Sequence, residues 1–132
     1  MIIYILSALV AVILLVSHLF GMDGLYYTYD WYDTPMHMIG GLALGLLVYQ
    51  ISHSVKHVTH ISWRKIIFAI ILIGLAWEVF EAFFGIAGAP LGTRAYYIDT
   101  VKDLVNDTFG AFVGMGIASL FNKHKDKNEI TS

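Results

Sequence analysis

The stretch GLAWEVFEAFFG, Gly74 to Gly85, sets two glutamates inside an otherwise apolar run. It lies in a hydrophobic segment, 65–87, long enough to cross a bilayer, because ~20 apolar residues span the ~30 Å hydrocarbon core. Glu78 and Glu81 are three residues apart, so on a helix they share a face. A carboxylate near the centre of a spanning helix costs ~2.5–3.5 kcal/mol on insertion scales, and such groups turn toward the bundle interior. The stretch therefore predicts a membrane helix and, elsewhere in the chain, polar partners for it.

The rest of the sequence fits that reading. Of its 132 residues, 58% are hydrophobic and only 14% charged, where a soluble domain carries about 25% charged residues. A formal net charge of −2 leaves no basic face to neutralise phosphates, so no nucleic-acid partner is expected. The chain has no cysteine, which excludes disulfides and thiolate ligands.

Four runs have the length of a membrane span, at about 2–20, 34–52, 65–87 and 100–121. The first lacks a basic leader and a small-residue cleavage site, so it is read as a retained helix rather than a secretion signal. Short connections favour antiparallel neighbours. The fold expected is all-α: a four-transmembrane-helix up-down bundle forming one domain, 1–121, followed by a disordered cytoplasmic tail, 122–132.

Orientation follows from lysine and arginine, which favour the cytoplasmic side. Lys56, Arg64, Lys65, Lys123, Lys125 and Lys127 fall on one side and only Arg94 and Lys102 on the other. Both termini are thus expected on the cytoplasmic side. Tyr26, Tyr27, Tyr29, Trp31, Tyr32, Tyr96 and Tyr97 suit a headgroup-level belt at the outer ends. Thr34-Pro35 reads as the start of the second helix, and Thr100-Val-Lys-Asp103 as a capping box opening the fourth. Gly41/Gly45 and Gly110/Gly114 permit close helix contact. They predict that the second, third and fourth spans pack together and leave the first at the periphery.

With this topology, the unusual polar residues fall in one outer layer. His37 lies near the start of the second span, Glu78 and Glu81 toward the outer end of the third, and Asp99, Asp103, Asn106 and Asp107 along one stripe of the fourth. At ~1.5 Å per residue, Glu78 lies ~14 Å from the expected end of its helix and Asp107 ~12 Å inside Asp99. Helix capping explains Asp99 and accounts in part for Asp103, and Asp33 reads as a solvated loop residue. Capping does not explain Glu78, Glu81 or Asp107. Crowded carboxylates resist ionising together unless a cation is present. An oxygen-rich set with one imidazole suits Mg²⁺, Ca²⁺, Mn²⁺ or Zn²⁺. The expected pocket is His37, Glu78, Glu81, Asp99, Asp103, Asn106 and Asp107, with His37, Glu78, Glu81, Asp103 and Asp107 as metal ligands. No catalytic residue is assigned, and di-iron chemistry is not expected because the Glu-x-x-His motifs are missing. His53, His57 and His60 could line a helix face, but lie on the opposite side and read as an interfacial loop.

Taken together, Asp33-x3-His37 with Gly40-Gly41, Trp77-Glu78-x2-Glu81 and Asp99-Thr100-x2-Asp103-x2-Asn106-x3-Gly110-Ala111-x2-Gly114 resemble small prokaryotic membrane proteins of the VanZ-like and YjdF-like type. The resemblance implies that His37, Glu78, Asp99, Asp103 and Asn106 form a shared polar site. Glu81 and Asp107 go beyond the simplest VanZ-like pattern, so the reduced teicoplanin sensitivity associated with those proteins is not transferred. The function expected is an outward-facing pocket for a divalent cation or an envelope-lipid headgroup, with metal-assisted lipid chemistry. The alternatives are a proton-coupled carrier using the carboxylates as a relay and a non-catalytic assembly factor. The bilayer and a lipid headgroup are the expected partners, and homo-oligomerisation is left open.

Overall fold

A computed structural model describes residues 2–54, 63–86 and 89–130. The described residues are helical apart from short turns, and no strand is found among them. The elements are α1 (Ile2–Phe20), a wide turn (Gly21–Leu25) running into the one-turn α2 (Tyr26–Thr28), α3 (Asp33–Ser54), α4 (Trp63–Phe84) and α5 (Arg94–Ile130). Four candidate membrane spans result, Ile2–Thr28, Asp33–Ser52, Arg64–Phe84 and Arg94–Asn122. The all-α, four-span reading of the sequence holds.

The tightest contact joins α3 to α5. A Cβ at Gly41 would strike the backbone of Asp107, and one at Gly45 the backbone of Ala111; on the facing helix, Gly110 lies against Met38 and Gly114 against Leu42. Small residues four apart on both helices let the two backbones meet, which is how helices gain dispersion energy where lipid removes the hydrophobic drive. The glycine faces thus join only the second and fourth spans. The third, α4, packs mainly on α5, where Gly74 lies against Leu104 and the Asp107 carboxylate. No residue of α1 is buried. That helix packs on α3 through Ile3, Leu6 and Val10, against a core of Leu46, Tyr49 and Ala118. A second core of Ile66, Ile70 and Ala111 ties α4 to α5. Large apolar side chains such as Leu9, Phe68, Val79 and Leu120 are exposed, as expected of surfaces that meet lipid tails.

Three helix ends differ from the sequence reading. The fourth span begins at Arg94, not Thr100, because Thr93 caps it: its hydroxyl accepts from the Tyr96 amide at 3.2 Å. Nothing between Thr93 and Thr100 breaks a helix, so Thr100 is released for another role. At its far end α5 continues to Ile130, where the sequence reading expected an unstructured tail; Lys and Glu in this segment are good helix formers. The third span stops at Phe84. There Gly85 takes φ +69° and the Ile86 amide donates to the Glu81 carbonyl at 2.9 Å, the six-to-one closure of a Schellman motif. His57 and His60 lie outside the described residues, and so does the side chain of His53.

Candidate functional site

Asp33 and His37 occupy the first two turns of α3, one helical turn apart. Glu78 and Glu81 face the same space from the end of α4, while Thr100, Asp103 and Asp107 descend one side of α5. Because α5 starts early, Asp107 lies ~20 Å along it at ~1.5 Å per residue. That depth brings Asp107 level with Gly41 and Gly74 and beneath His37. Gly41 lets the Asp107 backbone approach α3, and Gly74 leaves room for the Asp107 carboxylate.

His37 is the hub, with only 4% of its surface exposed. Its Nδ1 lies 3.2 Å from Asp107 Oδ1. Around Nε2 stand Asp33 Oδ1 at 3.5 Å, Glu78 Oε1 at 3.9 Å and Glu81 Oε2 at 4.0 Å. Each glutamate uses its other oxygen elsewhere. Glu78 Oε2 accepts from the Thr100 hydroxyl at 2.7 Å, and Glu81 Oε1 accepts from the Trp77 indole N–H at 2.7 Å. One oxygen is thereby fixed by a neighbour and the other turned toward the imidazole. His37 Nε2, Glu78 Oε1, Asp103 Oδ1 and Asn106 Nδ2 are buried without a hydrogen-bond partner. Buried polar atoms in that state cost ~1–3 kcal/mol each, so three potential ligand atoms on three helices call for a further partner.

Ligand atoms of His37, Glu78 and Glu81 all lie within 4.8 Å of one another, as do those of Asp33, His37 and Asp103. Two atoms bound to one ion can stand at most two bond lengths apart, ~4 Å for Zn²⁺ or Mg²⁺ and ~5 Å for Ca²⁺. The His37–Glu78 and His37–Glu81 pairs, at 3.9 and 4.0 Å, fall within that range. In the tautomer that donates Nδ1–H to Asp107, Nε2 presents its lone pair to the carboxylates. A carboxylate behind an imidazole in this way fixes its tautomer and ring orientation.

The expected residues do not all take the same part. His37, Glu78, Glu81, Asp103 and Asp107 are brought together, Asp107 behind the imidazole rather than in front of it. Asp99 stays at the rim, paired with Lys102 at 2.9 Å, and Lys102 Nζ also lies 3.9 Å from Asp103. Asn106 is half-buried on the same helix face. Asp33 is the correction: read as a solvated loop residue, it begins the helix and faces Nε2. Its i, i+4 spacing to His37 was the available signal. The structure also recruits an aromatic cap that sequence reasoning missed. His18 Nδ1 lies 3.0 Å from the Tyr26 hydroxyl and its ring packs edge-on against Trp77 at 5.1 Å, while the Tyr32 hydroxyl donates to the Ser17 carbonyl at 2.6 Å. Tyr26 and Tyr32 therefore fold inward, and Tyr96 is buried. Tyr27, Tyr29, Trp31 and Tyr97 remain exposed, as a headgroup belt requires.

Fold and cluster together define an integral membrane bundle with a buried histidine–carboxylate site that could hold a metal ion. A family described as "Predicted membrane protein (DUF2238)" matches residues 3–124, and the chain belongs to that family. No curated protein and no solved structure gives a significant match.

Proposed function

We propose that the protein is a divalent-cation centre of the prokaryotic cytoplasmic membrane that engages an anionic lipid headgroup from the outer side. The observation carrying this reading is that His37 Nε2, Glu78 Oε1 and Asp103 Oδ1, on three different helices, are buried without a hydrogen-bond partner, while ligand atoms of Glu78 and of Asp103 each lie within 4.8 Å of one on His37. An imidazole among carboxylates favours Mn²⁺ or Zn²⁺, since Mg²⁺ and Ca²⁺ prefer all-oxygen sites. His37, Glu78 and Glu81 are the proposed ligands, with Asp33 and Asp103 completing the set; Asp107, Thr100 and Trp77 orient them. Bound there, the ion would neutralise headgroup charge and, with a position left open, polarise a headgroup oxygen. The distribution of lysine and arginine supports cytoplasmic termini, which turns the site outward. The resemblance to VanZ-like and YjdF-like proteins agrees with a shared polar site at these positions.

The other readings have less support. A proton-coupled carrier needs a polar path through the membrane, yet the buried clusters in the half of the bundle away from the site, around Leu46 and Ile70, are apolar. A cluster that only fixed helix register would have its polar atoms paired, and these are not. The test is metal analysis of protein purified without chelator and reloaded with Mn²⁺ or Zn²⁺. The wild type should retain about one divalent ion per chain, and His37→Ala and Glu78→Ala should retain none while still folding. A folded wild type that holds no divalent ion overturns the reading.

A further inference from the structure

Beside the carboxylate cluster, α1, α3 and α4 enclose a cavity of ≈ 460 Å³. That volume falls within the ~300–1,000 Å³ of small-ligand pockets. The cavity is elongated. Its wall on α1 runs from Ser7 to His18 and its wall on α3 from Met36 to Leu47, each ~16 Å at ~1.5 Å per residue. Charged or aromatic polar groups (His37, Asp107, His18 and Trp77) gather at one end, and the remaining length is almost wholly apolar.

Small side chains create the space. Ala8 and Ala11 line one wall, with Gly40 and Ala43 opposite. Gly40 is the informative residue, because a Cβ built there meets nothing within 4 Å. Glycine inside a helix costs ~0.5–1 kcal/mol relative to alanine. At Gly41 and Gly45 that cost is offset by close backbone contact, whereas at Gly40 no contact offsets it, and what the glycine provides is room. Leu47 and Ile73, which also line the cavity, are each 48% exposed, so the slot is open toward the membrane.

We infer that this slot takes the hydrocarbon chain of a membrane lipid whose phosphate headgroup lies at the His37–Glu78–Glu81 centre. The inference rests on the proposed cation site for the headgroup and on the cavity for the chain. A helix of a second copy does not fit: at a diameter of ~10 Å, a 16 Å length of helix fills more than ~1,200 Å³. A single extended chain entering sideways from the bilayer does, and it would carry its polar end to the cluster. A phosphate anion also complements a bound divalent ion, which the carboxylates alone would repel.

The experiment titrates purified, Mn²⁺-loaded full-length protein in nanodiscs of neutral lipid. The probes are lysophosphatidic acid, glycerol phosphate and an uncharged monoacylglycerol of the same chain length, followed by Trp77 fluorescence in a Trp31→Phe, Trp63→Phe background that leaves Trp77 the sole tryptophan. Gly40→Leu fills the slot from α3 and Ala11→Leu fills it from α1; the metal content of every sample is measured. Lysophosphatidic acid should bind at least tenfold more tightly than either the headgroup or the uncharged chain. Both filling variants should lose at least tenfold of that affinity with metal content unchanged. If either folded variant binds like the wild type, or glycerol phosphate binds as tightly as the lipid, the chain slot is wrong while the cation site stands. A wild type that binds lipid without retaining metal overturns the cation site and the headgroup half of this inference together. A dimer abolished by Gly40→Leu, with no lipid bound by the wild type, would assign the slot to a second copy and overturn the inference.

Discussion

His37 has two faces with different tasks, and the residues behind each can be separated experimentally. Asp107 holds Nδ1 at 3.2 Å, so Asp107→Asn leaves every proposed ligand in place but weakens their orientation. Loss of such an outer partner lowers metal affinity ~10–100-fold. Thr100→Val and Trp77→Phe, which release the fixed oxygens of Glu78 and Glu81, should fall in the same range by competition with a metal indicator. His37→Ala should abolish binding outright. Equal affinities for wild type and Asp107→Asn would mean that the imidazole is not a ligand. Metal removal has a stability signature too. At a free ion concentration of 100 Kd, binding only the native state contributes ~2.7 kcal/mol, so chelation should lower the unfolding midpoint of the wild type and leave that of His37→Ala unmoved.

Among the elements, the α3–α5 pair is the most closely packed. A side chain at Gly41 or Gly45 would enter the backbone of α5. Gly45→Leu should therefore destabilise by at least the ~1–3 kcal/mol typical of overpacking, read as reduced resistance to unfolding in denaturing detergent. Gly40→Ala is the matched control, since its Cβ meets open space. It should be neutral or stabilising by up to ~1 kcal/mol from helix propensity. If both variants behave alike, the glycine contact is not what holds these helices together. The helix starts are set more locally. Thr93→Ala removes the cap of α5 and should cost ~1 kcal/mol, whereas Thr100→Val should leave the helix start intact.

For the whole molecule, the open question is which way the site faces. The first span runs to Thr28, so reporter fusions after Asp30 and at the C-terminus should report opposite compartments, with Asp30 outside. Matching signals would remove the outward orientation and with it the proposed access from the outer leaflet. Much of this architecture is fixed by sequence. Spans of about twenty apolar residues must become helices in lipid, because every backbone polar group has to be satisfied within its own segment. A carboxylate at Glu78 or Asp107 must then turn inward, because lipid offers it no partner. Periodicity on each helix accordingly gave most of the cluster. Other features depended on how helices meet. Asp33 joined the site because α3 begins at that residue. Thr100 became a donor to Glu78 because Thr93 capped α5 two turns earlier. Tyr26 and Tyr32 turned inward because the wide turn after α1 carries them back over His18. The Thr100 and tyrosine pairings join residues that no local spacing links, whereas Asp33 stands one helical turn from His37, where periodicity already pointed. The cavity beside Gly40 is the clearest case: in sequence Gly40 and Gly41 are adjacent and alike, and only the packed bundle sets one against a backbone and the other against open space.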